Sequence, residues 1–189
     1  MGGSLAKETI AAFARLVRAR SRENRDALAL LCSAGHSGIC VAILRLELDS
    51  LVRVLYLLSQ RAHQRDRLIE ASLHGQPWKH PDGKRITDAQ MVRHASALHG
   101  WAASVYSFGC AFIHLSRNHD YLTQDPFAAL PLSERESISS YLRYYHGGGI
   151  NPKSQFAELL AYIPEVFEKI SSNLDAHLQD LEEGRKLDA

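Results

Sequence analysis

The side chains best suited to chemistry gather in AFIHLSRNHDYL, residues 111–122, where Phe112 and Ile113 give way to His114, Arg117, Asn118, His119 and Asp120. Two imidazoles, a guanidinium and a carboxylate are groups that acid–base chemistry uses, and they are equally at home at an ordinary helix end. His114 and Arg117 also terminate a row, Ser96, Gly100, Ala103, Ser107 and Cys110, whose four-three spacing places it on one helix face. Small side chains there either let another backbone come close or leave room for a pocket with polar groups at its end. Arg143 and His146 repeat the same residue types further along.

A second polar group lies in LRLELDSLVR, residues 44–53. Arg45 and Asp49 are four apart and can pair on a helix. Glu47 shares a line with Cys40, Ile43, Val54 and Leu57, and a carboxylate among them needs a partner because an isolated buried charge is costly. Such a Glu47 either locks the register through a structural salt bridge or serves a ligand. If the helices carrying these groups run antiparallel, residues near 45 face residues near 103. Arg45, Asp49, Arg143 and His146 then meet in mid-bundle, while His36, His114 and Arg117 form a second group nearer one end.

The elements that must position these residues read as helices. The first spans about 5–20 behind a Ser4 cap, with Arg15, Arg18, Arg20, Arg22 and Arg25 along its end as a solvated face favoured by the helix dipole. The next starts near Asn24 and carries the stripe Leu30, Ala34, Ser37, Val41, Leu44, Leu48, Leu51, Leu55 and Leu58. One helix over 24–74 would be about 75 Å long, too long for a compact chain, so a break is expected near 59–63. GQPWKHPDGKR, residues 75–85, is a loop. A central helix runs from the Thr87 cap to Arg117, with Trp101, Phe108 and Leu115 widening its buried face. Ser133 and Glu136 form a capping-box pattern for a helix ending at His146. Gly147, Gly148 and Gly149 precede an Asn151–Pro152 helix start, so they make either a helix stop or an anion site of free backbone N–H groups. Pro164 should kink that last helix. The fold expected is all-α, an up-and-down bundle of five or six helices in one domain over 1–189, with the bundle at 4–182 and a frayed tail at 183–189.

Composition narrows the function classes. Hydrophobic residues make up 46% and charged residues 23%, with a formal net charge of +1, so no global field draws the chain to nucleic acid and any such site must be a local patch. The three cysteines, Cys32, Cys40 and Cys110, show no metal or redox spacing and read as buried thiols. No Glu-x-x-His or His-x-x-x-His occurs, and the nearest histidine pairs, His94/His99 and His114/His119, are five apart and on different faces. There is no Gly-x-Ser-x-Gly elbow. No metal or cofactor is expected. With no apolar run near the ~20 residues of a membrane span and no secretory layout at the start, the expectation is a cytoplasmic protein that does not enter membranes.

LRLELDSLVRVLYLL, FIHLSRNHDY and YLRYYHG together resemble the HEPN-like helical bundles, over roughly residues 24–180. The resemblance implies a small helical protein, often dimeric, that cleaves or binds RNA in bacterial defence, toxin–antitoxin or RNA-processing systems. In that family an Arg neutralises the scissile phosphate, and a His separated from it by four to six intervening residues moves protons during attack by the RNA 2′-hydroxyl. Arg117 and Asn118 match the start of that signature, but Leu122, Thr123 and Gln124 stand where its His would fall; the pairs Arg93/His99 and Arg67/His74 have the right spacing. The resemblance thus implies an RNA-facing set of His114, Arg117, Arg143 and His146, with Asp49 or Glu47 holding an arginine. The alternative is a non-catalytic homodimeric interaction module whose polar residues are structural, with Trp78 and the basic residues of 75–85 as a partner-binding edge.

Overall fold

The computed structural model describes the backbone of residues 2–187, with side chains from Lys7 onward. Among these residues the regular elements are α1 (Gly2–Ser33), α2 (Ser37–Ser59), α3 (Ala62–Leu73), α4 (Asp88–Ala95), α5 (Ala102–Ile113), a 3₁₀ turn (Arg117–His119), α6 (Leu132–His146), α7 (Phe156–Leu160) and α8 (Ile163–Glu182). The all-α expectation holds, but the helices number eight rather than five or six. Helix α2 is the hub: it packs on α8 and α5 most extensively, then on α4 and α1. Most of its residues from Cys40 to Leu58 are buried. The central helix is therefore α2, not the 87–117 segment, whose α5 leaves Ala103 and Ser107 exposed.

Three breaks differ from expectation, each for a local reason. The stripe through Ala34 and Ser37 does not carry one helix across. Gly35 takes φ +76°, its N–H donates to Cys32 O at 3.1 Å, and His36 N–H donates to Leu31 O at 2.9 Å. That paired pattern is a Schellman stop, which outweighs the apolar periodicity. Asn24 is consequently inside α1 rather than at a helix start, and the arginines at 15–25 lie mid-helix, away from any C-terminal dipole. The expected central helix is split at 96–101, where the Ser96 hydroxyl bonds back to Val92 O at 2.8 Å and Gly100 lowers helix propensity. It also ends at Ile113, because His114 turns extended. Near the C-terminus Asn151 and Pro152 form a turn instead of a helix start. Asn151 Oδ1 accepts from Lys153 N–H at 2.9 Å, and Pro164 begins α8 rather than kinking a longer helix.

Other expectations also shift. The break near 59–63 is present, with Gln60 and Arg61 extended. Helix α6 starts at Leu132 behind Pro131, so the Ser133/Glu136 box does not form. Leu30 and Leu115, assigned to buried stripes, are 71% and 97% exposed. The α8 stripe of Ile163, Phe167, Ile170, Leu174, Leu178 and Leu181 is buried as its spacing requires. The tail is docked, not frayed, as far as Leu187: Leu187 N–H donates to Leu58 O at 3.3 Å, and Arg65 reaches Arg185 O at 3.1 Å. Asp188 and Ala189 lie outside the described residues, as does the Ser4 side chain.

Three of the five arginines of α1 are clasps to neighbouring helices. Arg18 binds Asp175 at 2.9 Å and both Glu182 oxygens at 2.9 and 2.8 Å, and Arg25 binds Glu168 at 2.8 Å, all on α8. Their hydrogen bonds to these carboxylates hold both guanidiniums above their ordinary pKa. Arg20 reaches Asp49 on α2 at 3.5 Å. These three are not a free basic patch. Trp78 is not a partner-binding edge either. It is buried against Tyr56, donates its indole N–H to Ser72 at 2.8 Å and lies beneath Arg53.

Candidate functional site

Helices α5 and α6 run antiparallel, with Gly100 opposite Tyr141 and Ser104 bonded to Ser137 at 3.1 Å. Both lean on α7 and α8, with Val41 and Leu44 of α2 as a floor. The elements do not close completely, and an open pocket of about 100 Å³ remains. Its walls are Trp101, Val105 and Phe108 from α5 and its N-cap, Ile138 and Leu142 from α6, Phe156 and Leu159 from α7, and Ile163, Val166 and Ile170 from α8. Polar groups join the lining: Ser104, Tyr141, Tyr145, His146, Tyr162 and Lys169. His146 Nδ1 is 3.4 Å from Glu165, and the Lys169 ammonium lies 4.8 Å from the Tyr145 ring centre. Among the described residues Lys169 has no carboxylate within salt-bridge distance. Aromatic and aliphatic walls with a few polar groups are the usual make-up of a small-molecule site.

No protein-family model matches the chain, and no curated protein or solved structure matches it. The HEPN-like resemblance of residues 24–180 therefore rests on the sequence alone.

Of the candidate site residues, only His146 lines this pocket. Arg143 is exposed and donates to Ile150 O at 3.1 Å. His114 and Arg117 are exposed beyond the far end of α5. The pairing of Gly100 with Tyr141 puts His146 at the N-terminal end of α5, so the length of that helix, about 18 Å at 1.5 Å per residue, separates His146 from His114. The four do not converge. The small-residue row works in part by close approach: a Cβ on Gly100 would stand 2.7 Å from the Tyr141 hydroxyl. His36 faces a different cleft, shared with His119, Tyr121 and Asp125.

Arg45, only 6% exposed, lies opposite Gly109, not near residue 103. Its guanidinium stacks over Tyr106 at 4.3 Å and reaches Asp88 at 3.3 Å. The expected Arg45–Asp49 pair is long, 3.9 Å, because Asp49 is engaged by Arg53 at 3.0 Å and by Arg20. Glu47 is fully buried, and among the described residues no arginine lies within salt-bridge distance of it. It accepts from the Ser21 hydroxyl and from Asn24 Nδ2 at 2.9 Å, both on α1. The register lock at Glu47 is a hydrogen-bonded carboxylate, not a salt bridge.

The three glycines make a stop. Gly147 and Gly148 adopt φ +72° and +87°, and Gly147 N–H donates to Arg143 O. The next helix, α7, starts only at Phe156. The Phe156 N–H is taken by Asp125 at 2.8 Å and the Gln155 N–H by Glu158 at 2.6 Å. These acidic caps occupy two of the backbone donors at that helix start.

A histidine pair flanks the pocket. His99 lies beside Trp101, and its Nε2 is 3.4 Å from His177 Nε2, while His177 Nδ1 faces Asp180 at 3.2 Å. Burial first, then the charges of His177 and Lys169, hold His99 below the ordinary imidazole pKa. An unfolded chain therefore takes up this proton at higher pH than the native one. Stability is present above the unfolded value of about 6.5 and is lost as pH falls from there through the lower folded value. Urea titrations between pH 7.5 and 5 should show a falling midpoint, and His99→Gln should flatten that fall. An unchanged slope in His99→Gln would show that another group governs the acid limb.

Proposed function

We propose that the chain is a helical binding protein for a small apolar molecule bearing an acidic group. The observation that supports this is the pocket between α5, α6, α7 and α8: its walls are aromatic and aliphatic, and Lys169, which among the described residues has no carboxylate within salt-bridge distance, joins the lining. Cavities of this order admit ligands of roughly benzene size, and an open side lets a chain or ring protrude. Water leaves the almost wholly apolar walls at little cost, and an acidic group protruding from the open side is the part of such a ligand that Lys169 would meet. Neither RNA contact nor pairing between copies is needed for such a role, and the resemblance alone speaks for them.

Calorimetric titration with octanoate and 1-octanol tests the proposal. Octanoate should bind saturably and more tightly than octanol. Lys169→Ala should weaken octanoate about tenfold and leave octanol unchanged, and Val105→Trp, which fills the pocket, should remove both. If the folded protein saturates with neither probe, the proposed function is wrong.

A further inference from the structure

Two thiols that the sequence keeps eight positions apart meet at the corner between α1 and α2. Cys32, half-buried in the last turn of α1, and Cys40, buried in the first turn of α2, have their sulfurs 3.1 Å apart. The Schellman stop at Gly35 reverses the chain and sets them face to face, and both are free thiols. We propose that Cys32 and Cys40 are a peroxide-sensitive dithiol that closes to an intramolecular disulfide.

A disulfide needs its sulfurs at about 2.05 Å, so closure asks for a relative shift of about 1 Å across one helix corner. The division of roles follows from burial. Burial and then the neighbouring sulfur push the Cys40 thiol up to about 12, so it stays protonated, and the more accessible Cys32 supplies the attacking thiolate. That thiolate attacks one oxygen of hydrogen peroxide; the O–O bond breaks and hydroxide leaves, giving a sulfenic acid on Cys32. The Cys40 sulfur then attacks the Cys32 sulfur. The S–O bond breaks, the Cys40 proton leaves with the departing oxygen, and two waters have formed in all. The peroxide is reduced and the two thiols are oxidised.

The bridge would span a segment that forms one wall of a surface cleft. Gly35, His36, Ser37, Gly38 and Ile39 face Tyr121 and Phe156 across it. Gly38 is packed tightly there: a Cβ on it would stand 2.5 Å from the Tyr121 hydroxyl. Oxidation thus stiffens that wall.

The test uses full-length protein carrying Cys110→Ser, treated with a modest excess of hydrogen peroxide, quenched, and alkylated with N-ethylmaleimide in urea. The expected result is loss of both maleimide adducts with loss of two hydrogens in the intact mass, reversal by dithiothreitol, and a melting temperature raised by about 5 °C in the oxidised form. Cys32→Ser should leave Cys40 fully alkylated after the same treatment. Full alkylation of both thiols, higher oxides on Cys32 with Cys40 still alkylated, or a bridge formed only between chains would each overturn the proposal.

Discussion

Asn24→Leu should lower the unfolding free energy by about 3 kcal/mol, a large effect for an uncharged side chain at this site. Asn24 donates to a Glu47 carboxylate that is wholly out of water and accepts from Ser21 as well. Removing the amide leaves a buried Glu47 oxygen with one donor fewer, and the desolvation penalty of that oxygen reappears. The asymmetry of buried polar groups gives a second arm. Ser21→Ala, Asn24→Leu and Glu47→Leu made together leave no orphaned polar atom among the three, so much of the lost stability should return. Urea denaturation of the single and triple variants measures both. A single variant within 1 kcal/mol of the parent, on the scale of a surface substitution, would mean that water reaches Glu47 readily.

Gly109→Val should cost roughly 3 kcal/mol and should also loosen the charged cluster beside it. A Cβ at Gly109 would stand 2.6 Å from the Arg45 Cβ and 3.2 and 3.3 Å from its Cγ and Cδ. The near atoms are the root of the arginine, not its flexible end, so relief requires α2 and α5 to part. Arg45 is held at its far end too, over Tyr106 and against Asp88, and its Nε has no hydrogen-bond partner. Separation of the two helices would therefore break the stacking and let water into the cluster. Thermal melting together with Tyr106 ring resonances by NMR reads both effects. A stable variant with unshifted Tyr106 signals would show that the helix contact is softer than the distances imply.

What the sequence disclosed and what it hid divide along physical lines. Apolar periodicity is a property of each segment, so the α8 stripe and the burial of α2 were legible from spacing. Chain reversals depend on one or two backbone angles. The Gly35 stop was overridden by a stripe that carries on through it, and that error moved Asn24 from the inside of α1 to a supposed helix start. The partner of Glu47 was hidden for the same reason. Once α1 is one helix to Ser33, Ser21 and Asn24 are three apart on one face and available together. The Cys32–Cys40 contact was invisible because it is made by the turn, not by spacing. Inter-helix register was the least accessible quantity: Arg45 sits opposite Gly109 instead of residue 103, and this slip, with the split at 96–101, scatters the side chains expected to meet in mid-bundle. Lys169 carried no signal, being one lysine in an amphipathic helix until α5 and α6 gave it a pocket to border.

The packing of α2 has a consequence for how the chain reaches its native state. Its most extensive partner is α8, more than a hundred residues later, while the helices adjacent in sequence cover only part of it. During synthesis α2, whose residues from Cys40 to Leu58 are mostly buried in the native fold, must wait with its α8-facing side uncovered until the segment around Phe167, Leu174 and Leu181 has left the ribosome. The long loop closure makes that docking the slow event, and the waiting state is where aggregation or chaperone capture competes with folding. Shortened chains that lack α8 would be expected to fail at this point, even though every helix before it has been made.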